Sequence, residues 1–187
     1  MRIVLMGPPG AGKGTQAVKI AETLQVPHIS TGDIFRANLA AGTPLGLEAK
    51  RYMEAGEYVP DEVTNSMVAD RLAQDDAAGG FILDGYPRTL AQVDELDAIL
   101  SGLGTNLDKV VEITANTDEV VTRLLNRAKE QGRADDTEDV IRRRMDVYAE
   151  QTSPLVRVYS ERGLLVKVDG MGAMDEVTAR LLAALGQ

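Results

Sequence analysis

A chain of 187 residues, 44% apolar, with no tryptophan and two phenylalanines, predicts one domain built around an aliphatic core. Its formal net charge of −9 is the wrong sign for coating duplex nucleic acid, although a few placed arginines can bind a single nucleotide within an acidic chain. The absence of cysteine excludes disulfides and thiol chemistry, and no segment reads as a signal peptide or approaches the roughly eighteen apolar residues of a membrane span, so no membrane association and a cytoplasmic setting are expected.

In chain order, residues 2–6 (RIVLM) read as a short strand buried on both faces. A glycine-rich loop follows, and the helix after it carries Ala17, Ile20, Ala21 and Leu24 on one face. Residues 26–30 read as a second strand, 33–40 as a helix ended near Gly42, 43–56 as another between glycines, and 63–74 as a longer one with a loose apolar stripe. After Gly79 and Gly80, residues 81–84 (FILD) are a third strand, and a helix begins near Leu90. Residues 109–114 form the fourth strand, 117–131 and 137–150 are helical, 164–168 are the fifth strand, and a last helix covers 174–185. Strands alternating with helices imply right-handed crossovers and a mostly parallel sheet, whose ligands bind beyond the carboxyl ends of the strands.

The polar motifs fall where that rule puts a site. GPPGAGKGT (7–15) follows the first strand, HISTGD (28–33) spans the end of the second, and DGYPRT (84–89) follows the third. In the first motif, Gly7, Gly12 and Lys13 fit the phosphate-loop spacing, which points to a nucleoside triphosphate. Glycines such as Gly10, Gly12 and Gly14, with Ala11, let successive backbone N–H groups face one cavity at a helix N-terminus. Lys13 supplies a point charge for the outer phosphates, and Thr15 reaches the inner ones from the first turn. Gly14 stands where the general pattern has the hydroxyl that meets magnesium, so the metal must be managed elsewhere.

GPPGAGKGT, with glycine after the lysine and threonine one residue late, resembles the first signature of the adenylate kinase family, the nucleoside monophosphate kinases. FILDGYPRT (81–89) and HISTGDIFR (28–36) are similar to two further segments of that family, and the resemblance runs from residue 1 to about 170. It implies a three-layer α/β fold of the phosphate-loop class, with five parallel strands flanked by helices. It also implies transfer of a phosphoryl group from magnesium-bound ATP to AMP, giving two molecules of ADP. A kinase acting on UMP, CMP or another nucleoside monophosphate is the alternative, and a catalytically silent nucleotide-binding module is the alternative of another class. Intact Lys13 and arginines argue against the module, and the family habit is a monomer with no obligate protein partner.

On the acceptor side the resemblance assigns Arg36 and Arg88 to the monophosphate, with guanidinium forks matched to phosphate oxygens. Thr31, Gly85 and Gln92 go to the adenine, Gln92 being able both to donate and to accept. Thr31 looks like the adenylate version of a position that is small in pyrimidine-preferring relatives. Glu57, Tyr58 and Val59 match a stretch whose backbone lines the adenine pocket, though they also read as an ordinary loop before Pro60. Met53 reads as apolar packing near the acceptor nucleoside. His28, the only histidine, reads as a packed, hydrogen-bonded residue rather than a base or ligand.

On the donor side, Arg123 and Arg127 share a helix face, and without the resemblance they would be a solvated charged face with Glu119 and Glu130. The resemblance packs Arg123 on the donor adenine, sends Arg127 to the phosphates, and takes Arg133 and Arg144 as further phosphate charges. Asp135 and Asp136 become lid acids, although Asp135 also fits a helix N-cap with Glu138 three residues on. Arg142 and Arg143 are assigned to the surface. Gly170 lies near the donor adenine through its backbone. Residues 30–59 form the acceptor-binding helices and 127–137 a short lid, since only AKEQG separates Arg127 from Arg133. Lys13, Arg36, Arg88, Arg123, Arg133 and Arg144 then neutralise the transferring group, with no general base required. Asp84, at the end of the third strand, is left to hold the magnesium ion through its water shell.

Overall fold

The computed structural model describes residues 1–132 and 137–187. Five strands are seen, β1 (Arg2–Met6), β2 (His28–Ser30), β3 (Phe81–Asp84), β4 (Lys109–Thr114) and β5 (Leu165–Asp169), in the order β2-β3-β1-β4-β5 and all parallel. β1 is central, with Leu5 beside Asp84 of β3 on one edge and beside Val111 of β4 on the other.

The apolar run of β1 has no polar alternation because both of its faces are covered. Val4 and Met6 face a core with Leu83, Val110, Val93 and Tyr159. Ile3 and Leu5 face another with Ile20, Ile82, Val111 and Leu181. The first face is covered by α4 (Asp61–Leu72), α5 (Leu90–Gly102) and α8 (Ser153–Glu161), the second by α1 (Lys13–Leu24) and α9 (Met174–Ala184).

Two smaller units rise beyond the carboxyl ends of the strands. α2 (Thr31–Ala40) and α3 (Pro44–Ala55) pack Phe35, Ala49 and Val59 into a cluster of their own. Gly46 lets the two helices touch, since a Cβ there would lie 2.3 Å from the Leu39 nitrogen. α6 (Thr117–Gln131) and α7 (Glu138–Val147) meet through Val120, Leu124 and Ile141.

The element boundaries differ from the sequence expectation in instructive places. β2 starts at His28 instead of residue 26. α2 begins at Thr31, two residues early, because Ser30 caps it by accepting from the Asp33 N–H, and Gly32 is tolerated in the first turn. The helix expected over 137–150 ends at Val147 and passes into a π-helical turn, Tyr148–Thr152. α8 then follows, a helix absent from the sequence reading. Its Pro154 sits in the first turn, where a proline starts a helix without disrupting one.

Candidate active site

The phosphate loop leaves β1 at Gly7 and enters α1 at Lys13. Its last residue, Gly12, is the N-cap of α1 with φ 90°, and no side chain caps the helix. A left-handed φ at that point strains any residue but glycine, and the uncapped first-turn N–H groups are left to receive an anion. Lys13 folds back over the loop, donating to the carbonyl oxygens of Gly7 at 2.7 Å and Pro8 at 2.9 Å. Burial pushes its ammonium down to about 8, the Asp84 carboxylate works against that, and Arg88, Arg144 and Arg127 lower it further. These arginines come from three separate stretches of chain, and Arg88 and Arg144 line one cleft with Lys13. Thr15 lies exposed in the first turn of α1.

Asp84 closes the floor of this point. Burial would raise its carboxyl, but His28, Lys13 and Arg88 together outweigh that and hold it below the ordinary carboxylate range. His28 Nε2 lies 3.6 Å from Asp84 Oδ2. That separation is longer than an ordinary hydrogen bond, and the packed histidine expected from sequence lies against this carboxylate. A Cβ on Gly14 would lie 3.5 Å from Asp84 Oδ2. The missing hydroxyl of the phosphate-loop pattern thus leaves room directly in front of a carboxylate.

On the other side of Lys13 lies a cleft that opens to solvent. Most residues expected on the acceptor side line it. Thr31 and Arg36 come from α2, Met53 from α3, Glu57, Tyr58 and Val59 from the loop after it, and Gly85, Arg88 and Gln92 from the segment after β3. Arg144 of α7 reaches the same wall. Phe35, within the motif at 28–36, also lines it, as do Thr64, Tyr148 and Thr152, which no motif announces; none of the four was expected from sequence.

The polar groups here are aimed by their neighbours. Arg88 donates from its backbone N–H to Gln92 Oε1 at 2.7 Å and from Nε to the Gly85 carbonyl at 2.6 Å. Gln92 in turn donates from Nε2 to Asp61 Oδ1 at 2.7 Å, which leaves one N–H and one lone pair of its amide for a ligand. Thr31 donates its hydroxyl proton to the Gly85 carbonyl at 3.0 Å and so offers lone pairs to the cavity. Arg36 pairs with Asp33 at 2.6 Å. Glu57 pairs with Arg143 at 2.5 Å, so Arg143 is a tie between two structural units and not the plain surface residue expected; Arg142, paired only with Glu138, is at the surface.

The donor side is a more open surface. Arg123 reaches from α6 to the Gly170 carbonyl at 3.5 Å and pairs with Glu119 at 2.5 Å. Gly170 itself is pinned by its N–H to the Thr114 carbonyl at 2.8 Å, next to the phosphate loop's strand. Arg127, one turn further along α6, is the one of this pair whose charge Lys13 feels. Arg133, Asp135 and Asp136 lie outside the described residues, and the N-cap of α7 is Thr137.

The chain matches the family model described as adenylate kinase over residues 5–164. It is 65% identical over 185 residues to a protein named adenylate kinase from a Nocardioides species, covering 99% of this chain and 97% of that one. Identity is 64% to the protein of the same name from Kocuria rhizophila, across 98% of both chains. It is 56% to that of Thermobifida fusca, across 99% of this chain and 98% of the other.

Proposed function

The chain belongs to the adenylate kinase family, and we propose that the two sides of its cleft hold the two nucleotides of that family's reaction, ATP on the phosphate loop and AMP in the cavity. The enzyme transfers the terminal phosphoryl group of ATP to AMP, giving two ADP, and the same cleft serves both directions. The observation that carries the assignment is that Lys13 of the phosphate loop lines one cleft with Arg36, Arg88 and Arg144.

The attacking atom is an oxygen of a phosphate already ionised near neutral pH, so no side chain has to remove a proton. Alignment and charge are what the protein supplies. Arg88 and Arg36 hold the acceptor phosphate from one side, and Lys13 and Arg127 take the donor's outer phosphates from the other. Arg144 bridges the two. Arg123, drawn toward Gly170 and Glu119, serves the donor's base edge and leaves the phosphates to Arg127. Arg133 is assigned to the same phosphates by resemblance alone. Thr31 accepts from an exocyclic amino group, which adenine has at the matching edge, and Gln92 supplies the remaining donor and acceptor.

Magnesium fits the site on the observation that Asp84 is a buried, ionised carboxylate whose Oδ2 lies next to Gly14 of the phosphate loop. Among the described residues no three His, Cys, Asp or Glu side chains gather as a metal cluster. Asp84 therefore holds the ion through water, a mode magnesium favours. Bound there with ATP, magnesium neutralises charge on the phosphates. Residues 30–59 serve as the acceptor-binding unit and 127–137 as the short lid, in a monomeric cytoplasmic enzyme with no obligate partner. Among the described residues no helix is long and apolar enough to cross a membrane.

The deciding experiment is a steady-state panel of AMP, UMP, CMP and GMP as acceptors with magnesium-ATP. Turnover favouring AMP by at least about 100-fold in kcat/KM is expected, in line with a site that hydrogen-bonds its substrate. Equal turnover of a pyrimidine nucleotide refutes the acceptor assignment.

A further inference from the structure

Arg88 is steadied in a way that Arg36 and Arg123 are not. Those two lie against carboxylates, Asp33 and Glu119, on their own helices. Arg88 has no such partner. Its guanidinium carbon sits 4.9 Å from the centre of the Tyr58 ring. The Tyr58 hydroxyl is 2.7 Å from Thr152 Oγ1, and Thr152 donates to the Arg88 carbonyl oxygen at 2.8 Å. A threonine hydroxyl has one proton, already committed to Arg88, so the Tyr58 O–H must be the donor to Thr152. A closed relay results: the ring faces the guanidinium, its hydroxyl fixes Thr152, and Thr152 fixes the backbone of the same arginine.

We propose that Tyr58 and Thr152 are positioning residues for Arg88, which set the direction of its guanidinium toward the acceptor phosphate. The proposal rests on the reading of Arg88 as the acceptor-phosphate ligand. It gives the Tyr58 side chain a role at the phosphate end of the cavity, beside the backbone role expected of residues 57–59 at the adenine. Two features of the geometry support it. With Nε bound to Gly85 and one face on Tyr58, the terminal nitrogens of Arg88 have no hydrogen-bond partner among the described residues and remain available to an anion. An aromatic face also offsets the repulsion from Lys13 without presenting a carboxylate that the phosphate would have to displace.

The three residues come from three parts of the chain: the loop after α3, the segment after β3, and the π-helical turn before α8. That turn places Tyr148 and Thr152, four residues apart, on the cavity wall. Wide turns of this kind are frequent at functional sites. Because Tyr58 follows directly on the acceptor-binding helices, the arginine is fully aimed only when that loop is docked. The neighbouring Glu57–Arg143 pair, at 2.5 Å, holds the same loop to α7.

The test compares Tyr58→Leu, Tyr58→Phe, Thr152→Val and Thr152→Ser with the unaltered enzyme. The measurements are affinity for AMP, affinity for adenosine as an inhibitor competitive with AMP, KM for ATP, and melting temperature. Loss of the cation–π face in Tyr58→Leu should weaken AMP about tenfold, leaving adenosine and the KM for ATP within about twofold. Tyr58→Phe and Thr152→Val should each weaken AMP about threefold, and Thr152→Ser should restore what Thr152→Val loses. In an Arg88→Ala background, Tyr58→Leu should add nothing. Equal weakening of AMP and adenosine, or a full Tyr58→Leu effect without Arg88, overturns the proposal. Where Tyr58→Leu fails to fold, Tyr58→Phe decides, since AMP binding at the unaltered level would then overturn it. If Arg88→Ala alone leaves AMP affinity intact, the reading of Arg88 has failed, an outcome separate from failure of the relay.

Discussion

If Lys13 takes the donor's phosphates as proposed, nucleotide binding should be accompanied by proton uptake. In the empty cleft, burial holds its ammonium near a pKa of about 8 against an ordinary 10.5. A triphosphate on the loop reverses the sign of the surroundings and returns the pKa to its ordinary value or above. Binding must then draw about 0.1 proton from solution at pH 7 and about 0.75 at pH 8.5. ATP affinity should accordingly fall by up to about tenfold for each pH unit above about 8. Folding responds in the other direction. A lysine with its folded pKa below its unfolded one destabilises the empty protein at every pH below about 8. That penalty, about 3 kcal/mol by the gap between the two values, fades as pH rises toward 10.5, because the unfolded chain then binds more protons than the folded one. Calorimetric titration with ATP at pH 8.5, in two buffers of different ionisation enthalpy, reads the uptake directly. Lys13→Met should abolish it together with most of the affinity. Lys13→Arg, which keeps a charge that never titrates, should abolish the uptake alone. Binding enthalpy independent of buffer in the unaltered protein, or the same uptake in Lys13→Met, would refute the reasoning.

Three other outcomes are expected. Gly85→Ala puts a Cβ 2.7 Å from Arg88 Nη2 and 2.8 Å from Thr31 Oγ1 at φ +83°, so it should raise the KM for AMP and lower stability by about 1–2 kcal/mol, with the KM for ATP unchanged; steady-state kinetics and a thermal melt check both. Asp84→Asn should raise the magnesium concentration needed for half-maximal rate by about 10–100-fold, and an unaltered magnesium titration would remove Asp84 from the metal's surroundings. Thr31→Ala removes the hydroxyl whose proton is held by Gly85, and should narrow the preference for AMP over CMP and UMP in the acceptor panel; an unchanged ratio would exclude Thr31 from base selection.

The sheet was legible because its strands are short apolar runs without alternation, which a parallel sheet covered on both faces requires. The site's main chemistry was legible because the glycine loop, STGD and DGYPRT stand at the ends of three such strands. What the sequence hid is contact across distance. Tyr58 and Thr152 are 94 residues apart, Glu57 and Arg143 are 86 apart, and neither pair carries a local pattern. α8 was absent from the sequence reading, although Leu155 and Tyr159, both buried and four apart, carry the apolar signal of a helix and Pro154 suits its first turn. Arg143 looked like Arg142 because adjacent residues on a helix point about 100° apart, and only the neighbouring unit decides which of them meets a partner.

A chain of net charge −9 that gathers cations at one cleft raises a question of balance, and the pairing of its arginines answers it. Arg36 leans on Asp33 three residues back, and Arg123 on Glu119 four residues back. Exposed helix pairs of this sort are worth about 0–1 kcal/mol, so a bound nucleotide would displace either carboxylate at little cost. Each pair relieves repulsion while the cleft is empty and yields when a stronger anion arrives. Asp84 cannot act this way, since it is buried and already answers to Lys13, His28 and Arg88. Arg88 has an aromatic ring in place of an acid, so it has no carboxylate to lose. The acidic residues near the cleft therefore divide by burial. On the proposed assignment, the exposed Asp33 and Glu119 are exchangeable counter-ions for Arg36 and Arg123, and the buried Asp84 is a fixed negative charge where magnesium would bind.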